Sequence, residues 1–317
     1  MWNYLLVFAA GLILLIKGAD IVVKYASRTA RLLGISNFMI GLTLVAFSTT
    51  LPELSVSLMS AFSGVVDIAV GTTLGSIIAN SALILALAAV FVPLATNMDT
   101  LKLKYILLLS LLVLSLLLID GLVWYEGLVL IIIFAVYMGS MIRKGRGTEP
   151  ATSKEKTKTQ QSKGRIAKYI AFTIFGGVLV VVGARFLIDS TIDLSTVLGV
   201  PEMLIAIIAV AIGTSLPELA VVTTAAFKKI VGISIGDILG ANMFNVMVLG
   251  ATSLVSPVPV TAKVLTIVIP IVLIVNVLLL LFMSTKIRFI SKKWQLSRTE
   301  GLILLAIYAI FVALQFI

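Results

Sequence analysis

The chain has 317 residues, of which 60% are hydrophobic and only 12% are charged, whereas about a quarter of the residues in soluble domains are charged. This composition excludes a soluble globular protein and predicts an all-α polytopic membrane protein. The sequence contains no cysteine and no histidine, which excludes disulfides, thiolate metal sites, cysteine nucleophiles and histidine general bases.

About ten stretches of the chain are apolar and long enough to cross a bilayer, which requires about 20 residues per helix. We number them as spans 1 to 10. They lie near residues 3–23, 38–62, 68–92, 103–119, 122–142, 166–188, 202–227, 232–256, 262–283 and 300–317. The predicted fold is therefore a bundle of about ten transmembrane helices.

The net charge of +10 is distributed unevenly over the loops between these spans. Of the 24 Lys and Arg residues, 21 lie in or beside the loops after spans 1, 3, 5, 7 and 9, with Lys102 and Lys104 among them. By the positive-inside rule these loops are cytoplasmic. We therefore predict a plasma-membrane protein with both termini extracellular and no nucleic-acid partner. Binding of anionic lipids is the alternative role for the same charges.

Residues 143–165 form the only long polar stretch of the sequence. Their composition is typical of a disordered linker. We predict a cytoplasmic connector between a first five-helix unit, residues 1–142, and a second, residues 166–317. A regulatory role is the alternative, although the stretch is too short for a folded calcium-sensing domain.

A seven-residue motif occurs twice in the chain. Residues 48–54 (STTLPEL) return 165 residues later as residues 213–219 (GTSLPEL), and residues 33–80 match residues 198–245 at 19 of 48 positions without a gap. The repeat unit contains five spans, so the second unit enters the membrane from the opposite side. Inverted repeats place the substrate site near the midplane, where interrupted helices meet. Duplication for structural reasons alone is the alternative.

Each copy of the motif places a carboxylate, Glu53 or Glu218, directly after a proline inside an apolar span. A carboxylate is costly in hydrocarbon, and a proline removes one helical hydrogen bond. The prolines are expected to free backbone carbonyls near residues 46–48 and 211–213, one turn from the carboxylates. Two such costs at matched positions predict one shared polar centre.

Neutral oxygen donors are predicted to surround the two glutamates. Hydroxyl and carbonyl groups share a helix face with them in spans 2 and 7, and spans 3 and 8 supply further donors. The candidates are Ala46, Thr49, Thr50, Ser76, Asn80, Ala211, Thr214, Ser215 and Asn245. Surroundings made only of oxygen suit hard cations such as Ca²⁺ and Na⁺. Helix packing and interhelical hydrogen bonding are the alternative roles for single members.

The charge of the glutamate pair predicts exchange. Glu53 and Glu218 together carry −2 when ionised, which neutralises one Ca²⁺, and they repel each other when no cation is bound. Protons or monovalent cations would relieve this repulsion. Competition between Ca²⁺ and H⁺ or Na⁺ for one site is the physical basis of antiport.

Several other residues in the spans have more ordinary predicted roles. Gly71 and Gly75 are expected to permit close approach of helices. Asp237 is expected to be a solvated acid near the start of its helix, and a charge in the vestibule of the site is the alternative. Arg185 is expected to form a local ion pair or to extend towards the interface.

At these residues the chain resembles the sodium/calcium exchanger family of cation/calcium antiporters, in its compact prokaryotic form. The resemblance covers nearly the whole chain and rests on FSTTLPEL and IGTSLPEL, followed by GTTLGSIIAN and GDILGANMFN. It implies that Ca²⁺ is held between Glu53 and Glu218, with Asn80 and Asn245 completing the ring. The implied Na⁺ ligands are the carbonyls of Ala46 and Ala211 and the hydroxyls of Thr49, Thr50, Ser76, Thr214 and Ser215. The resemblance also implies that spans 1 and 6, which carry several glycines, slide against the other spans.

Three residues depart from the pattern of this family. Ser48 stands where glycine is expected, Ala241 stands where its repeat mate is Ser76, and Asn245 occupies a position that is often acidic. The leading hypothesis is exchange of Ca²⁺ for Na⁺ by alternating access, and exchange for H⁺ or another cation is the alternative.

Two other classes of protein remain as alternatives. An intramembrane enzyme would need a catalytic base, and no lysine accompanies the buried glutamates in the sequence. A passive channel could also be lined by carboxylates and half-helices. We therefore predict a transporter that is not an enzyme and needs no cofactor. Its expected partners are the transported cations and the lipid bilayer, with no obligatory protein partner.

Overall fold

The computed structural model describes residues 2–32, 46–95, 98–145, 162–227, 231–284 and 295–316. The described part of the chain is almost entirely helical, as predicted. Its helices are α1 (Trp2–Leu32), α2 (Ala46–Phe62), α3 (Val66–Phe91), α4 (Met98–Leu117), α5 (Trp124–Gly145), α6 (Ser162–Leu198), α7 (Glu202–Thr214), α8 (Leu216–Phe227), α9 (Val231–Val255), α10 (Val264–Ser284) and α11 (Arg298–Leu314). Two short strands, β1 (Leu94–Ala95) and β2 (Gln295–Leu296), pair antiparallel; this pairing was not predicted.

A helix occupies each predicted span, with α7 and α8 together forming span 7. Within the described ranges, five helices are long and apolar enough to cross a membrane, or six if α7 and α8 count as one bent span. The other helices are shorter or less apolar, so the number of ten crossings stays a prediction. The predicted start of span 2, residues 38–45, lies outside the described residues.

Helices α1 and α6 are longer than the sequence predicted. They contain 31 and 37 residues, or about 46 and 55 Å at 1.5 Å per residue, against about 30 Å for the hydrocarbon core. Helix α5 ends at Gly145 and α6 begins at Ser162. The predicted linker 143–165 is therefore helical at both ends, and residues 146–161 lie outside the described part.

Helices α1 and α6 cross at two pairs of glycines. A Cβ atom on Gly18 would lie 2.8 Å from the carbonyl oxygen of Gly176, and one on Gly183 would lie 2.7 Å from that of Gly11. Gly11 and Gly176 are repeat mates, as are Gly18 and Gly183. Gly11 therefore contacts the mate of Gly18, and Gly18 contacts the mate of Gly11. Only 24% of the apolar segment of α1 and 28% of that of α6 are buried, so most of this helix pair lies on the outside of the bundle.

Helices α3 and α9 form the centre of the bundle. The apolar segments of these two helices are 78% and 72% buried. Helix α9 packs against α2, α3, α4, α5 and α8. Helix α3 approaches α7 closely, because Cβ atoms on Gly71 and Gly75 would lie 2.8 and 2.7 Å from backbone oxygens of α7. The predicted role of these two glycines is confirmed. The repeat mates of these glycines, Gly236 and Gly240, would make the matching contacts with residues 38–42, which lie outside the described residues.

The helical pattern is interrupted at four places in the described residues. A π-helical turn occurs at Ala79–Ile84 in α3, at Ala206–Val210 in α7 and at Val264–Val268 in α10. Helices α7 and α8 are bent by 45° relative to each other, with Ser215 between them. The π turn in α3 buries the side chains of both Asn80 and Ser81.

The two motif prolines have different effects on their helices. Pro217 follows the break at Ser215, whereas Pro52 lies inside α2, which is continuous from Ala46 to Phe62. The expected interruption of both repeats is thus found in one of them. The residue whose carbonyl loses its helical donor is Gly213 in α7 and Ser48 in α2, and glycine adapts more easily to a broken helix.

Two basic residues test the predictions made for charged side chains. Arg185 donates from Nε to Asp189 Oδ2 at 3.0 Å and from Nη1 to Ser63 Oγ at 2.9 Å, which confirms the local ion pair. From the sequence, Lys104 was expected in or beside a cytoplasmic loop. The structure places it in a helix instead. It is a fully buried residue of α4, and this helix begins at Met98 rather than near residue 103.

Candidate ion-binding site

The two motif glutamates meet inside the protein. Glu53 on α2 and Glu218 on α8 are both completely buried, and they lie close enough for their negative charges to repel each other. Within the part of the chain that the structure describes, neither forms a salt bridge. The prediction of one shared polar centre is consistent with this placement.

Two hydroxyl groups contact the carboxylate of Glu53. Ser76 Oγ on α3 donates to Glu53 Oε1 at 3.3 Å, and Ser215 Oγ donates to the same oxygen at 3.2 Å. The two hydroxyl oxygens are 3.2 Å apart. Because Ser215 lies at the break between α7 and α8, this triangle joins α2 and α3 to the bend.

The carbonyl oxygen of Ala211 is directed at the same cluster. It accepts a hydrogen bond from Thr214 Oγ1 at 3.3 Å, and it lies 3.5 Å from Ser76 Oγ as an alternative acceptor for the single hydroxyl hydrogen of Ser76. It also accepts the backbone N–H of Ser215 at 3.1 Å. The predicted free carbonyl at this residue therefore keeps its helical bond, because Pro217 removes the donor to Gly213 instead.

The threonines of the motif are arranged reciprocally around the glutamates. The Thr214 side chain faces the carboxylate of Glu53, and the Thr49 side chain faces that of Glu218. Residues 49 and 214 are repeat mates, so the side chain of each threonine faces the glutamate of the other copy of the motif. Thr50 is also buried. Ala46 is the first described residue of α2.

The surroundings of the two glutamates are unequal. Glu53 Oε1 accepts two hydroxyl hydrogen bonds, whereas the Thr49 side chain faces the carboxylate of Glu218 without a bond of hydrogen-bond geometry to either of its oxygens from the described residues. The sequence explains part of this difference, because the repeat mate of Ser76 is Ala241, which has no hydroxyl group. The site is therefore less saturated on the Glu218 side.

Two buried asparagines lie one turn beyond Ser76 and Ala241. Asn80 donates from Nδ2 to Asn242 Oδ1 at 3.1 Å, and its Oδ1 has no partner among the described residues. Neither amide atom of Asn245 has a described partner. Both side chains are fully buried, so they present polar atoms to the interior at matched positions.

The unpartnered oxygens form a donor set that fits a hard cation. Within the described residues, Glu53 Oε2, both carboxylate oxygens of Glu218 and Oδ1 of Asn80 and Asn245 are buried without a hydrogen bond. Leaving such atoms unpaired is costly, and carboxylate and amide oxygens are the ligands that Ca²⁺ takes. The same ranges contain no group of three or more His, Cys, Asp or Glu suited to a metal. The candidate site thus combines two carboxylates with neutral oxygens.

Comparison with protein families identifies the chain. The family model described as "Sodium/calcium exchanger protein" matches residues 3–143 and 168–317. The chain belongs to this family. The resemblance inferred from the two motifs is confirmed, and the protein is a multi-pass membrane transporter of the sodium/calcium exchanger type.

Individual relatives of this exchanger cover almost the same length. The sodium/calcium exchanger MaX1 of Methanosarcina acetivorans is 32% identical, with 98% of each chain covered. The inner membrane protein YrbG of Escherichia coli is 35% identical over 78% of each chain. Solved structures of the sodium-calcium exchanger NCX_Mj, soaked with 10 mM Na⁺ and 10 mM Sr²⁺, are similar with a TM-score of 0.66, at 30% identity and with 98% of this chain and 97% of that chain covered.

The exchanger contains one further acidic residue near the site. Asp237 on α9 lies close enough to Glu218 for their charges to repel, and its Oδ2 is buried without a partner among the described residues. Asp237 is partly exposed and lies beyond the first turn of α9, which begins at Val231, so its placement fits the alternative of a vestibule charge better than that of a helix-start acid. The available sequence signal was its position one residue after Gly236, at the repeat mate of Thr72, which the structure shows to be fully buried.

Proposed function

We propose that this protein exchanges Ca²⁺ for Na⁺ across the membrane by alternating access, with Ca²⁺ held between Glu53 and Glu218. The observation that carries the proposal is the pair of fully buried glutamates, whose oxygens are largely unpartnered among the described residues. Two such carboxylates supply the −2 charge that one Ca²⁺ neutralises. Family membership and the relatives named for sodium and calcium exchange support the same chemistry.

The neutral oxygens divide into two proposed groups. The amide oxygens of Asn80 and Asn245 would complete the Ca²⁺ site. Na⁺ would be held by the carbonyls and hydroxyls around the two motifs: Ala46, Ala211, Thr49, Thr50, Ser76, Thr214 and Ser215. The hydrogen bonds among Glu53, Ser76 and Ser215 support this division, because a hydroxyl that donates to a carboxylate can turn its oxygen to a small cation when the carboxylate is engaged elsewhere.

The proposed cycle uses two inverted five-helix units, residues 1–142 and 166–317. The reciprocal contacts of Gly11 with Gly183 and of Gly18 with Gly176 support this relation. We propose that α1 and α6 move as a pair against the other helices, because they contact each other tightly and lie on the outside of the bundle over most of their length. In the proposed orientation both termini are extracellular, the linker is cytoplasmic, and the protein resides in the plasma membrane.

Exchange of Ca²⁺ for H⁺ is the second candidate function. It is favoured by the Glu218 side of the site, where two oxygens have no described hydrogen-bond partner and the carboxylate of Asp237 is close. A proton would relieve the repulsion between such groups. The neutral Asn245, in contrast, offers no further carboxylate to a proton.

Purified protein in liposomes separates these candidates. We expect ⁴⁵Ca²⁺ uptake when the vesicles are loaded with Na⁺ and diluted into Na⁺-free buffer, with no uptake driven by a pH gradient alone. Ca²⁺ on the opposite side should accelerate uptake, as it does for a carrier and not for a pore. Protein-free vesicles are the control. Uptake that requires only a pH gradient would contradict Na⁺ coupling, and the absence of counterflow would contradict antiport.

A further inference from the structure

Lys104 is an unusual residue for the interior of a membrane protein. It lies on α4, is completely buried, and is among the largest fully buried side chains in the described part of the chain. No carboxylate of the described residues lies within 4.0 Å of its nitrogen. A buried ammonium group without a counter-ion is costly, so its hydrogen-bond partner indicates what it does.

The partner of Lys104 is a side chain on α10. Lys104 Nζ donates to Asn276 Oδ1 at 2.7 Å. Asn276 is itself fully buried, and its Nδ2 donates to the carbonyl oxygen of Val272 at 2.8 Å. Both ends of the Asn276 amide are thereby engaged. An ammonium group can only donate, so Asn276 must present its oxygen to Lys104 and its nitrogen to the helix.

From Asn276 the hydrogen bonds continue towards the candidate ion site. Ser81 Oγ on α3 donates to Asn276 Oδ1 at 3.4 Å and accepts from Asn242 Nδ2 at 2.8 Å. Asn242 Oδ1 in turn accepts from Asn80 Nδ2 at 3.1 Å. Every side chain in this sequence of bonds is fully buried, so water does not compete for the same groups.

The direction of each bond is determined by the one before it. Because Asn276 offers Ser81 only an oxygen, the Ser81 hydroxyl uses its single hydrogen there and must accept from its other neighbour. Asn242 therefore turns its NH₂ group to Ser81 and its oxygen to Asn80. Asn80 must then donate, which leaves Asn80 Oδ1 as the atom without a described partner.

We propose that Lys104 is a positioning residue of the ion site: through Asn276, Ser81 and Asn242 it holds the Asn80 amide with its oxygen available to the cation. This inference rests on the proposed function, because it assumes that Asn80 is a cation ligand. If the amide turned over, an NH₂ group would face the cation, and the ligand would become a repulsive group.

The described residues of the other half contain no corresponding network. The repeat mates of Asn242 and Ser81 are Ile77 and Val246, which cannot form hydrogen bonds with side-chain groups. Asn245, the mate of Asn80, accordingly has no described partner for either amide atom. The structure thus distinguishes two asparagines that the repeat makes equivalent, and it assigns a fixed orientation to Asn80 alone.

A double-mutant cycle of Lys104→Met with Asn80→Asp tests the proposal. The measurement is equilibrium ⁴⁵Ca²⁺ binding to purified full-length protein, with thermal unfolding recorded for each variant. In the Asn80 background, Lys104→Met should weaken Ca²⁺ binding by about tenfold, since it removes the donor that orients the network. In the Asn80→Asp background it should change binding by less than about twofold, because an aspartate presents an oxygen whichever way it turns.

The remaining variants control for charge and folding. Lys102→Met, an exposed position on the same helix, should leave binding unchanged, and Lys104→Arg, which retains a donor, should restore most of the loss. If Lys104→Met does not fold, Ser81→Ala interrupts the same network and carries the same expectation.

Two results would overturn the proposal. Equal loss of affinity in both Asn80 backgrounds would show that Lys104 affects binding by a route other than the orientation of Asn80, and no loss in the Asn80 background would show that it does not position the ligand. Absence of Ca²⁺ binding by the wild-type protein would instead refute the proposed function, and the positioning role with it.

Discussion

Glu53→Gln and Glu218→Gln are each expected to abolish Ca²⁺ transport in proteoliposomes while the protein stays folded. Each substitution removes half of the −2 charge and one oxygen ligand, and the affinity of a Ca²⁺ site depends on the number of charged ligands. Once Ca²⁺ is bound, the loss of one carboxylate leaves a buried cation without half of its counter-charge, which by analogy with a broken buried ion pair costs about 3 kcal/mol or more, or about a hundredfold in affinity. Initial rates of ⁴⁵Ca²⁺ uptake measure the effect.

Thermal unfolding separates loss of the site from loss of the fold. Without cations, the two buried carboxylates repel each other, so neither glutamine variant should unfold at a lower temperature than the wild type. Ca²⁺ should raise the unfolding temperature of the wild type, because a ligand that binds the native state stabilises it. We expect this increase to be absent in both variants.

Glu126→Gln is the matched control for these variants. Glu126 accepts the backbone N–H of Val123 at 3.0 Å at the start of α5, and it has no place in the proposed site. The Glu126→Gln variant should transport Ca²⁺ at the wild-type rate. Normal exchange by either Glu53→Gln or Glu218→Gln would refute the assignment of the glutamate pair.

Gly183→Val is expected to separate α1 from α6 and to reduce Ca²⁺ flux strongly. A Cβ atom at this position would lie 2.5 Å from the backbone nitrogen of Leu15 and 2.7 Å from the carbonyl oxygen of Gly11. Backbone atoms cannot move aside as a flexible side chain can, and overpacking of this kind costs about 1–3 kcal/mol. The unfolding temperature should fall by several degrees. Transport should slow because α1 and α6, which are proposed to move as a pair, no longer pack closely against each other.

Gly177→Val provides the control on the same helix. No described atom lies within 4 Å of a Cβ atom added to Gly177, so this variant should retain both its unfolding temperature and its Ca²⁺ flux. Because position 183 lies outside the proposed ligand set, Gly183→Val should still bind Ca²⁺ once folded. If the two valine variants behaved alike, the glycine crossing would have no special role.

The centre of the site could be predicted from the sequence because its residues are costly where they lie. Glu53 and Glu218 stand in segments that are otherwise apolar, and the same spacing recurs 165 residues later. The role of Gly75 could be predicted for a related reason, since a small residue in a buried span permits a close helix contact. These signals are local, so one chain without a structure was sufficient to find them.

The polar network behind Asn80 could not be predicted, because its members are distant in sequence. Lys104 lies 172 residues before Asn276, and its position near the end of an apolar segment is typical of a topological signal in a loop. Only the placement of α4 against α10 shows that the ammonium is buried. The helix break expected at Pro52 is not found, although the one at Pro217 is, because the two prolines have the same local sequence effect but lie in helices with different surroundings.

Equilibrium binding of ⁴⁵Ca²⁺ to the purified wild-type protein, measured with increasing Na⁺, tests the central claim most directly. The proposed shared site predicts saturable binding of one Ca²⁺ per chain, and complete displacement by Na⁺ with a Hill coefficient above one, because several Na⁺ ions must replace the divalent charge. Ca²⁺ binding that Na⁺ does not displace would contradict exchange at the glutamate pair.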